Sequence, residues 1–110
     1  MHIEEQRKGD ALVLSLSGRL DNFAAQEFVK VITRHIESDE HRIVINFAEL
    51  SYLSSSGLRV LLGASKRIQK KQGDLFLCSL TGLVRRVIEI AGFHKILTIY
   101  DNEEEALQHF

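Results

Sequence analysis

Three consecutive serines, Ser54, Ser55 and Ser56, followed by Gly57 and Leu58, carry the most chemistry in this 110-residue chain. A serine hydroxyl ahead of a helix can accept the unpaired amide hydrogens of the first turn. The same position lies at the positive end of the helix macrodipole, where a phosphate is held by those amides. Phosphorylation there adds about −1.5 to −2 charge, so a serine that contacts a partner when bare becomes a repulsive block when modified. Local chemistry alone favours a cap, supplied by Ser54 or Ser55. Gly57, inside the first turn, gives up about 1 kcal/mol of helix propensity relative to alanine. That implies a close approach to its backbone, by a partner or by the sheet.

Other chemistries lack their residues. His2, His35, His41, His94 and His109 form no two-histidine helical spacing, and the single Cys78 completes no common zinc set. No Gly-x-Ser-x-Gly elbow surrounds the serines and no histidine is placed by sequence beside Ser55, which argues against a serine hydrolase. Gly57 to Gly63 spans a helix rather than a phosphate-binding loop. Neither cofactor nor metal is expected, and the chain reads as a non-enzyme. Fourteen basic against fifteen acidic side chains give a formal charge of −1, which argues against direct nucleic-acid binding. Lys66, Arg67, Lys70 and Lys71 read as a solvated helix face.

A lone cysteine forms no internal disulfide and fits a reducing, cytoplasmic setting. No segment approaches the roughly 18 apolar residues of a membrane span, and Met1 to Glu5 lacks a signal pattern, so no membrane insertion is expected.

The elements that must position the serines follow from periodicity. Leu12, Leu14 and Leu16 alternate along a strand from Ala11 to Ser17 that Gly18 ends, with Ile3 to Arg7 as a hairpin partner across Gly9-Asp10. Ala25, Phe28, Ile32 and Ile36 recur at helical spacing between Asn22 and Ser38, and Asp21 can cap that helix. Arg42 to Phe47 reads as a buried strand leading through Glu49 to Tyr52 into the serine loop. Leu58, Leu61, Leu62, Ser65 and Ile68 line a second helix that begins at the serines and ends near Gly73. Leu75 to Cys78 is a strand. Leu83, Val84, Val87, Ile88 and Ala91 define a third helix stopped by Gly92, and Ile96 to Tyr100 a last strand. Asp101 with Glu104 opens a final helix containing Ala106 and Leu107, with an unpatterned tail at His109 and Phe110. Residues 1–110 therefore form one α/β domain with a mixed, largely parallel sheet of about five strands and about four helices.

The segments Leu16-Ser-Gly-Arg-Leu-Asp21, Ile43-Val-Ile-Asn-Phe47, Leu53-Ser-Ser-Ser-Gly-Leu58 and Gly73-Asp-Leu-Phe-Leu-Cys78 together resemble the bacterial anti-sigma factor antagonists. These consist of one STAS domain, the module they share with sulfate transporters. The similarity runs in consistent order from about Ala11 to Leu107, through Val84-Arg-Arg-Val-Ile88 and Ala91-Gly-Phe-His-Lys-Ile96. The resemblance implies a phosphoacceptor at Ser55, with Ser56 as second choice, and a partner-binding surface of Gly18, Asp21, Ser54, Ser55, Ser56 and Gly57. It implies a partner that is an anti-sigma factor with serine kinase activity, released from the sigma factor by the bare antagonist and freed from it by phosphorylation, with a cognate phosphatase as a further partner. Ser54 stands where the family pattern has aspartate, and Arg19 where it has glutamate. The alternative function is a constitutive STAS scaffold, or a transport-complex subunit, that never uses the serine chemically.

Overall fold

A computed structural model describes residues 1–110. Strands β1 (His2–Lys8) and β2 (Ala11–Leu20) lead into α1 (Asn22–Glu37), β3 (Arg42–Leu53) and α2 (Ser55–Lys70). Then come β4 (Asp74–Cys78), α3 (Gly82–Ile90), a 3-10 turn at Phe93–Lys95, β5 (Thr98–Tyr100) and α4 (Glu103–Gln108). The five strands lie in the order β1-β2-β3-β4-β5, with β1 antiparallel to β2 and every other pair parallel. The mixed, largely parallel sheet expected from the sequence is therefore present, with its four α-helices.

Each parallel step moves one place in the same direction, and right-handed crossovers then put all three connecting helices on one face. That is where they pack. Leu12, Leu14 and Leu16 of β2, Ile43 and Ile45 of β3, and Leu75 and Leu77 of β4 form one cluster with Phe28 and Ile32 of α1, Leu61 and Ile68 of α2, and Val84 and Ile88 of α3. The alternate residues, Val13, Val44, Phe76 and Cys78, face the other side, where Ala106 of α4 covers them.

The helix α4 is tied down by Glu103, which pairs with Lys8 and accepts from Asn46 Nδ2 at 3.0 Å. Burial pushes the Glu103 carboxyl up, but the hydrogen bonds from Lys8 and Asn46 and the lysine charge outweigh it and hold the group below its ordinary range. The tail that lacked a pattern docks through Phe110, which stacks on Phe76 at 4.5 Å between ring centroids.

Several boundaries differ from the sequence reading. The strand β2 does not stop at Gly18 but runs to Leu20, and β3 does not end in a loop after Phe47 but continues to Leu53. Their extensions pair with each other across two register irregularities, Ser15/Ser17 and Gly18/Arg19, and these bulges interrupt the simple alternation. The last strand shrinks to Thr98–Tyr100 because Phe93–Lys95 winds into the 3-10 turn after Gly92. The final helix is capped by Asn102, whose side chain accepts from Glu105 N at 2.8 Å, rather than by Asp101. In α3 only Val84 and Ile88 are buried while Leu83 faces solvent, and Ala91 lies just past the helix as its exposed C-cap. Arg67 and Lys71 are not merely solvated: they donate to Thr33 Oγ1 at 2.7 Å and to the Ile36 carbonyl at 2.9 Å, joining α2 to α1.

Candidate functional site

Because β2 and β3 are parallel neighbours, their carboxyl ends and the helices that follow begin at the same end of the sheet. Leu20 is paired with Leu53, and one residue beyond each strand stands a cap, Asp21 for α1 and Ser54 for α2. Asp21 Oδ1 accepts from Ala24 N at 2.8 Å, and Ser54 Oγ accepts from Gly57 N at 3.1 Å. Ser54 N in turn donates to the Leu20 carbonyl at 2.9 Å. That last bond fixes which serine caps: it draws Ser54 in against β2, where only 7% of it remains exposed.

The three serines thus have three environments. Ser54 is buried with its hydroxyl committed to the cap. Ser55, the first helical residue, is exposed and its hydroxyl enters no hydrogen bond within the chain; Ser56 is half-buried. The amides of the first turn of an α-helix have no partner within the helix. With Gly57 N taken by Ser54, those of Ser55 and Ser56 are the donors left at this helix start, and the macrodipole adds its positive end there. An anion on Ser55 would lie in a favourable field.

Gly57 is explained by packing against the sheet. A Cβ built on it would stand 2.7 Å from Leu20 Cγ and 3.0 Å from Leu53 Cδ1, so the helix start can sit this close to the two strand ends only without a side chain. Gly18, on the same end, has φ +91 and carries its carbonyl to Ser51 Oγ, which donates at 2.9 Å. A residue with a Cβ is strained at that φ.

The structure therefore brings Gly18, Asp21, Ser54, Ser55, Ser56 and Gly57 together at one end of the sheet, with Gly18 and Ser55 exposed, Asp21 and Ser56 half-buried, and Ser54 and Gly57 buried. Two neighbours join them that sequence reasoning did not assign. Arg19 lays its guanidinium over the Tyr52 ring, 4.2 Å from the centroid, and Phe23 is 83% exposed in the first turn of α1. A signal for Phe23 was available, since it stands off the stripe formed by Ala25, Phe28, Ile32 and Ile36. No cluster of three His, Cys, Asp or Glu side chains is arranged to hold a metal ion. Cys78 lies in the core at the end of β4, where burial pushes its thiol up to about 11.

The profile of the STAS domain matches residues 2–106. The chain is 34% identical over 99 residues to BtrV of Bordetella bronchiseptica, provisionally named an anti-sigma factor antagonist, covering 90% of this chain and 85% of BtrV. It is 33% identical over 108 residues to the anti-sigma F factor antagonist of Paenibacillus polymyxa, covering 97% and 92%. Among solved structures, an anti-sigma factor antagonist from Mycobacterium paratuberculosis superposes with a TM-score of 0.90 at 22% identity, covering 98% of this chain and 92% of that one. The family match takes in the paired strand ends and both caps.

Proposed function

Because the chain belongs to the STAS domain family, we propose that it is an anti-sigma factor antagonist working in the cytoplasm. Unphosphorylated, it binds an anti-sigma factor that is also a serine kinase, and the sigma factor is released. Phosphorylation of Ser55 by that kinase switches the binding off, and a cognate phosphatase resets it. The kinase chemistry belongs to the partner; this chain supplies the acceptor and the docking surface and is not itself an enzyme.

The observation that carries this reading is the division of labour among the serines. Of the three, only Ser55 combines an exposed position, an uncommitted hydroxyl and a place in the first turn of an α-helix. Ser54 already serves the helix, so its modification would cost the cap. A phosphate on Ser55 would be held in part by first-turn amides while presenting its remaining charge to anything docked on Gly18, Asp21 and Gly57.

Incubation with the cognate anti-sigma kinase and ATP, followed by peptide mapping, tests the assignment. One phosphate on Ser55 is expected. Phosphate on Ser56 alone would move the acceptor by one residue, and none on any of the three serines would favour the constitutive scaffold. The scaffold draws on one feature of this chain: position 54, next to Ser55 in the chain, holds a capping serine and not a carboxylate.

A further inference from the structure

A cleft of about 180 Å³ opens beside the serine end of the molecule, between β1 and the first turns of α1. Met1, Ile3, Phe23 and Ala24 form its apolar lining, and Asp21 and Glu27 are its two polar residues. An apolar cavity of about 150 Å³ is enough to hold benzene, so this volume takes one large apolar side chain. Phe23 and Met1, 83% and 42% exposed, give it an apolar rim where most surface residues are polar.

The two carboxylates decide the occupant's charge. The acidic partners in the chain's ion pairs are Glu5, Asp10, Asp39, Glu40 and Glu103, so neither Asp21 nor Glu27 meets a cation of this chain. No Lys, Arg or His lines the cleft, and the one positive group there, the Met1 amino group, pairs with neither carboxylate. Two copies docked here by a two-fold axis would set carboxylate against carboxylate, which disfavours self-association. The cleft is also continuous with the serine end through Asp21, which belongs to both.

We infer that this cleft is a second contact point for the anti-sigma factor, receiving from it a large apolar side chain flanked by lysine or arginine. The inference rests on the functional reading above and adds to it the chemistry of the partner's segment. The serine end acts as the switch. The cleft, which contains none of the three serines, supplies an anchor beside the switch and sets which anti-sigma factor is chosen.

The test is titration of the purified anti-sigma kinase with the parent chain, Phe23→Ser, Glu27→Lys and Ser55→Asp, with the melting transition of each recorded and sedimentation of the free chains measured alongside. Phe23 and Glu27 are both exposed, so both variants should fold as the parent does. Phe23→Ser is expected to weaken binding about tenfold or more at all salt concentrations, as a buried anchor does. Glu27→Lys should weaken it by a similar factor at low salt and by less at high salt, as a screened charge contact does. Affinity equal to the parent's in both variants, with Ser55→Asp still weakened, would overturn the inference while leaving the functional reading intact. A parent dimer dispersed by Phe23→Ser without change in kinase affinity would overturn it too and give the cleft to a second copy. No binding by the parent would overturn the functional reading, and this inference with it.

Discussion

Gly57→Ala should destabilise the protein although alanine is the better helix former. The added Cβ would stand 2.7 Å from Leu20 Cγ and 3.0 Å from Leu53 Cδ1, and neither leucine is free to yield, being 0% and 2% exposed. Forcing a methyl group into a packed core costs roughly 1–3 kcal/mol, whereas replacing glycine by alanine within a helix returns at most about 1 kcal/mol. The balance is a net loss of up to about 2 kcal/mol, or up to roughly 10 °C in melting temperature for a domain of this size. Gly63 in the same helix is the internal control, because a Cβ there meets nothing within 4 Å. Gly63→Ala should therefore stabilise by about 0.5–1 kcal/mol. Urea unfolding of the parent and the two variants reads both numbers, with the m-value checking that the unfolded state is unchanged. If Gly57→Ala is as stable as Gly63→Ala, the strand ends do not hold the start of α2, and the account of how the serines are positioned fails.

Other consequences concern the neighbouring residues. Ser54→Ala removes the acceptor for Gly57 N and should cost about 1 kcal/mol in urea unfolding. Ser54→Asp keeps a good cap, so stability should hold while the phosphorylation rate of Ser55 rises in a timed assay; a fall in stability would show that the buried position rejects a carboxylate. Cys78, with its thiol at about 11, should resist alkylation at pH 8 in the folded protein and react at once in denaturant. Its unfolded thiol titrates near pH 9, so above that pH the unfolded state binds fewer protons than the folded one. Stability should then fall between pH 9 and 11, and Cys78→Ala should flatten that limb of the profile.

The layer order of the fold was legible because each element carries its own period: Leu12, Leu14 and Leu16 alternate, and Ala25, Phe28, Ile32 and Ile36 follow the helical repeat. The Asp21 cap was equally local, an aspartate directly ahead of that repeat. The extension of β3 was hidden because Ala48, Glu49 and Ser51 are exposed and leave Leu50 and Leu53 three residues apart, a spacing that breaks the strand's period of two and falls on a helical one. The cap of α4 was ambiguous since Asp101 and Asn102 are both good caps, each with a glutamate three residues on. At the candidate site the sequence offered Ser54 and Ser55 as equal caps. The choice rests on a tertiary contact, from Ser54 N to the Leu20 carbonyl, between residues 34 apart in the chain. Phe23 and Arg19 escaped for the complementary reason: an exposed aromatic ring or guanidinium gains meaning only once the residues around it are in place.

The central claim, that charge on Ser55 turns partner binding off, is tested most directly by one titration series. The purified anti-sigma kinase is titrated with the bare chain, with the chain phosphorylated on Ser55, and with Ser55→Ala. The bare chain and Ser55→Ala should bind with nearly the same affinity. The phosphorylated chain should bind more weakly by about 2 kcal/mol or more, roughly a 30-fold rise in Kd, because a dianion would have to shed water at the interface, a cost the first-turn amides offset only in part. Equal affinity for the phosphorylated and bare chains would contradict the claim and leave the domain an unregulated binding module.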